Sequence, residues 1–78
     1  MRKKELRVIV SFRTMTQAIA MEEAAASEGL EGRLIPIPLQ ITADCGLAWS
    51  EPVRTREALE KVLEEKHLEY DRMTELVI

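Results

Sequence analysis

The stretch Leu6-Arg7-Val8-Ile9-Val10-Ser11-Phe12-Arg13-Thr14-Met15-Thr16-Gln17-Ala18 decides the fold. Its first half sets large apolar groups among a few polar ones and is rich in β-branched residues, which is the pattern of a strand. At Thr14 the pattern changes. Thr14 and Gln17 stand at capping-box spacing, where a threonine oxygen meets a free amide three residues on and the glutamine side chain reaches back. The spacing predicts a helix from Thr14 whose apolar stripe carries Ala18, Ile19, Ala25, Ala26 and Leu30, with Glu22, Glu23 and Glu28 in water. Gly29 supplies the left-handed stop. A strand running directly into an alanine-rich helix is the first half of a β-α-β unit.

Downstream the same two periods recur. Gly32 to Ile37 reads as a second strand. Pro36 and Pro38 both lack ladder donors on one side, so that strand is expected to lie on a sheet edge or to end there. A loop from Pro38 to Asp44 leads to a third strand, Gly46 to Ser50, broken by Pro52. Thr55 is the expected cap of a second helix, Arg56 to about His67, with Ala58, Leu59, Val62 and Leu63 on one face. A last strand spans Tyr70 to Val77. The order β-α-β-β-α-β predicts an α+β, ferredoxin-like sandwich: a four-stranded antiparallel sheet with two helices on one face. The other face is expected to stand open or to be covered by a second copy. Residues 1–78 read as a single domain.

Composition narrows the function classes. A chain of 78 residues buries only about 60–65% of its unfolded surface, so a partner subunit would help its modest core. One cysteine permits no internal disulfide. No apolar stretch approaches the roughly 20 residues of a membrane span. Met1-Arg2-Lys3-Lys4-Glu5 is basic, but a short strand and not a signal-peptide core follows it. The expected location is the cytoplasm. The net charge of −3, from 11 Lys+Arg against 14 Asp+Glu, argues against nucleic acid, whose binders carry a basic face. Phe12, Trp49 and Tyr70, one aromatic of each kind, offer no stacking platform.

Chemistry concentrates at Cys45, which follows the proline-braked loop and precedes Gly46-Leu47-Ala48. Thr42, Ala43 and Asp44 are small or polar, as expected of a loop that presents a thiol, and Gly46 would let a ligand or backbone approach the sulfur. Asp44 is a like charge for a thiolate and opposes its formation. Arg13 and Arg54, each just before a helix, could be brought toward one end of the sheet. The alternative is a packed cysteine acting as a small hydrophobe. His67, the only histidine, reads as a favourable charge at a helix C-terminus, and a Cys–His dyad is not expected. One Cys and one His cannot close a zinc site within a monomer, and the three glycines are too scattered for a phosphate loop. No cofactor is therefore expected. Trp49 reads equally as core or as an anchor for a dimer on the open sheet face.

The strand ending in Phe12, the capped helix, Arg33-Leu34-Ile35-Pro36-Ile37-Pro38 and Cys45-Gly46-Leu47-Ala48 together resemble a bacterial family of putative Se/S carrier protein-like domains. The resemblance spans roughly residues 6 to 78. It implies that Cys45 bears sulfur or selenium as a persulfide or selenopersulfide, that Gly46 opens access to it, and that the partners are donor and acceptor proteins. Family members place serines before the cysteine, where this chain has Thr42, Ala43 and Asp44, so a carboxylate replaces hydroxyl donors beside the thiol. A carrier needs one nucleophilic thiol and no general base of its own. The rival expectation is a non-catalytic module that dimerises through its open sheet face, with Cys45 merely packed. An enzyme ranks below both, because no acid–base pair stands at useful spacing.

Overall fold

The computed structural model describes residues 4–41 and 45–78. The strand expected at Leu6 forms as β1 (Leu6–Ser11), and Thr14 caps helix α1 (Met15–Glu28) by accepting from the Gln17 amide at 3.2 Å. The Gln17 side chain does reach back, but to the amide of Arg13 at 2.9 Å, one residue beyond the capping-box position. Gly29 ends the helix at φ +71°, a conformation only glycine adopts without strain. There follow β2 (Arg33–Pro36), β3 (Leu47–Pro52), a short 3₁₀ turn at Val53–Thr55, α2 (Arg56–Glu65) and β4 (Arg72–Val77). The sheet order is β2-β3-β1-β4, with every neighbouring pair antiparallel. This is the ferredoxin-like arrangement that the element order predicts.

The prolines follow the ladder. The Ile37 amide donates to the Gly46 carbonyl at 2.9 Å and the Cys45 amide to the Phe12 carbonyl at 3.4 Å. Even-numbered residues of β3 therefore aim their backbone groups at β2, and odd-numbered ones at β1. By the same alternation Pro36 points its nitrogen away from β3, into the edge, where no donor is wanted. Pro52 aims at β2's side, but β2 stops pairing at Arg33, opposite Ser50. For that reason Pro52 is tolerated as the last residue of β3 and does not break the strand earlier.

One cluster fills the space between sheet and helices: Val8 and Val10 from β1, Phe12 just after it, Trp49 from β3, Ala18, Met21 and Ala25 from α1, Leu59 and Leu63 from α2, and Cys45. Two details differ from the sequence reading. The stripe of α1 is Ala18-Met21-Ala25, while Ile19 is 46% exposed and Ala26 faces water. The small alanines bring the helix close to the sheet, and Met21 fills the gap they leave with a long unbranched chain. On α2, Ala58 is exposed and Leu59, Val62 and Leu63 are buried.

The opposite face is less open than expected. Ile9, Ser11, Ala48 and Ser50 lie on it by register, and none is more than 2% exposed. Pro38 and Gln40 line a cavity there together with Arg7, Ile35 and Ser50, so the segment after β2 turns over this face. Among the described residues no helix is long and apolar enough to cross a membrane.

Candidate functional site

Cys45 sits at the end of the sheet where β1 leaves and β3 enters. Its backbone bonds to Phe12, two residues before the cap of α1. Thus the thiol-bearing residue and the N-terminus of α1 share one end of the domain. The first turn of that helix holds no acidic residue of its own, while the Glu69 carboxylate accepts from the Gln17 side-chain amide there at 3.3 Å. The cysteine does not stand out of the loop. It is 6% exposed and belongs to the core cluster, so the expectation of a thiol freely presented by a loop is corrected. The reason is alternation: Cys45, Leu47, Trp49 and Glu51 share one parity, and that parity faces the helices. Asp44, with Thr42 and Ala43, lies outside the described residues.

Gly46 is exposed, and a Cβ placed on it would meet nothing within 4 Å. Its φ is not positive either, so neither packing nor conformation demands a glycine. What it leaves is open space beside the Cys45 backbone. Of the two arginines, the fold brings only Arg13 to this end, where its Nε pairs with Asp71 at 3.4 Å. Arg54 follows β3 at its far end, about 20 Å away at the rise of an extended chain, and pairs with Glu31 at 2.8 Å.

His67 has a structural duty. At φ 53° it occupies the left-handed position just past α2. Its amide donates to the Glu64 carbonyl at 3.2 Å and that of Leu68 to Leu63 at 2.9 Å, the paired bonds of a Schellman ending. No hydrogen bond joins its imidazole to Cys45. Among the described residues no group of three or more His, Cys, Asp or Glu is placed to hold a metal ion.

Trp49 is core, at 3% exposure, and is therefore not an anchor on the opposite face. Its indole Nε1 donates at 2.8 Å to Glu51 Oε1. That carboxyl, wholly buried, also accepts from the Gly32 amide at 3.2 Å and the Thr55 hydroxyl at 2.6 Å. Thr55 thus serves Glu51 instead of capping α2 with its side chain. Sequence reading missed this network, although Glu51 shares the parity of Leu47 and Trp49.

A family model described as putative Se/S carrier protein-like matches residues 7–75. The chain belongs to this family. The match to the Se/S carrier-like family covers nearly the whole domain and includes Cys45, Gly46 and both helices. A search of curated proteins and a search of solved structures each return no match.

Proposed function

We propose that this Se/S carrier-like domain carries a chalcogen atom on Cys45 between a donor and an acceptor protein. The Cys45 thiolate attacks the outer sulfur of a donor persulfide. A bond forms from Cys45 Sγ to that sulfur, the donor's S–S bond breaks, and the donor leaves as a thiolate. An acceptor nucleophile then takes the outer atom and restores the Cys45 thiol, so no external oxidant or reductant is consumed. Selenium follows the same balance.

The observation that carries the reading is the place of the family's cysteine. It lies at the sheet end shared with the α1 N-terminus and is flanked by the open space at Gly46. Met15 and Ile19, one turn apart on α1, stand 51% and 46% exposed on the first turns of the same helix, as apolar contacts for a partner. Because Cys45 is buried as a residue, transfer requires its cover to part when a partner docks.

The burial also favours a second reading, in which Cys45 is packing and the domain is a binding module, dimeric through its sheet face. Intact mass after anaerobic incubation with a cysteine desulfurase and cysteine separates the two. Carrier function gives a dithiothreitol-removable gain of whole sulfur atoms on wild type and none on Cys45→Ala. Gly46→Ala, which meets no clash, keeps the fold and slows loading. A protein that gains no sulfur, with a thiol that reacts only after denaturation, overturns the carrier reading.

A further inference from the structure

The face turned away from the helices carries a feature independent of Cys45. A cavity of about 620 Å³ opens there, within the range of about 300–1,000 Å³ usual for small-molecule sites. Arg33 lies opposite Ser50 in the β2–β3 register, and Ile35 opposite Ala48, so Arg33, Ile35 and Ser50 share this face. Arg7, opposite Pro52 in β1, shares it too. Pro38 and Gln40 line the cavity from the chain after β2.

Its polar groups are unequal. The Arg7 guanidinium is held by the Glu5 carboxylate, the Ser50 hydroxyl and, at 3.2 Å, the Ser50 carbonyl. This arginine is fixed and already neutralised. Arg33 has no carboxylate partner among the described residues, and it is exposed. Arg33 is thus the guanidinium of this cavity that no carboxylate of the described residues pairs, in a chain whose net charge is −3. The Pro38 ring and Ile35 supply stiff apolar wall.

We propose that this cavity binds a small organic monoanion, a carboxylate on an apolar body. The carboxylate takes the fork of Arg33, the pairing for which guanidinium geometry is suited. The body lies against Ile35 and Pro38, and the Gln40 amide offers the remaining hydrogen bonds. A dianion is disfavoured because, among the described residues that line the cavity, only Arg33 is a cation without a carboxylate partner.

The test is an amide-resolved NMR titration of the ¹⁵N-labelled chain with octanoate, and with octan-1-ol as its uncharged counterpart. Octanoate should shift the Arg33, Ile35, Gln40 and Ser50 amides saturably. Loss of a charge-assisted pair predicts binding at least about tenfold weaker for octan-1-ol and for Arg33→Gln. Arg33→Lys, which keeps the charge but not the fork, should fall between. The spectra report at once whether each variant is folded. The proposal is overturned if octanoate moves no amide of this face, or if octan-1-ol binds wild type as tightly. Arg33→Gln binding octanoate undiminished overturns it as well.

Discussion

Replacing Glu51 by leucine should remove a large part of this domain's stability, whereas glutamine should be tolerated. Glu51 Oε1 accepts from both Trp49 Nε1 and the Gly32 amide, and Oε2 accepts from Thr55. Leucine leaves the buried Trp49 indole N–H and the part-buried Gly32 amide without this partner. The Thr55 hydroxyl escapes, because it also reaches the Pro52 carbonyl at 3.1 Å. An orphaned buried donor costs about 1–3 kcal/mol. One full cost and part of a second, less a small gain from the apolar replacement, predict a loss of about 2 kcal/mol. A domain of this length holds only about 4–12 kcal/mol in all. Glutamine keeps an oxygen for Trp49 and Gly32, while its NH₂ donates to Thr55 and the hydroxyl turns to Pro52, so the predicted cost is below about 1 kcal/mol. Urea unfolding followed by circular dichroism, with Trp49 fluorescence as a second probe, measures both variants. Equal midpoints for Glu51→Leu and Glu51→Gln would refute the reasoning, since only the count of unsatisfied donors separates them.

The same network makes Gly32 a packing requirement. A Cβ there would stand 2.4 Å from Glu51 Oε1 and from the Ser50 carbonyl, so Gly32→Ala should cost about 1–3 kcal/mol in the same unfolding assay. His67→Gly should stabilise by about 1 kcal/mol, because a side chain at φ 53° bears a left-handed penalty that glycine does not; an unchanged or lowered midpoint would sink this. Arg56 links α2 to Glu60 and, across to β4, Glu75, and these carboxylates hold its guanidinium above its ordinary value, Glu60 first. A raised value means the pairing is fully present below the unfolded value and fades only as pH rises through the folded one, beyond the working range. Unfolding midpoints at pH 6 and 9 should therefore show the same difference between wild type and Arg56→Ala. That difference is small, below about 1 kcal/mol for exposed partners, and shrinks in molar salt.

The element order was legible because each element announces itself by period and by punctuation. Thr14, Gln17 and Gly29 mark α1, and Pro36 and Pro38 mark an edge strand through the donors they lack. What escaped depends on contacts between elements. The stripe of α1 is turned toward Met21 because the helix settles where its alanines touch the sheet, a choice that helical period alone leaves open between neighbouring stripes. Gly32 looks like an ordinary strand start until β3 passes above it. The Schellman ending at His67 carries no glycine to signal it. Alternation ties Glu51 and Cys45 to the face of Leu47 and Trp49, which the sequence leaves open between core and sheet face, and the pairing with Val8 and Val10 turns that face to the helices. A charged residue and a loop-like neighbourhood pull against that assignment, and the sheet's period prevails.

On the proposed carrier reading, the burial of Cys45 decides how a chalcogen would be held. A persulfide held in water is open to reduction and exchange by any small thiol, since exchange rates depend on access as well as on ionisation. A chalcogen held at the margin of a core is shielded from such thiols until a partner engages that end of the sheet. Shielding then becomes part of selectivity, because only a partner that engages the end of the domain bearing α1 and β3 gains the thiol.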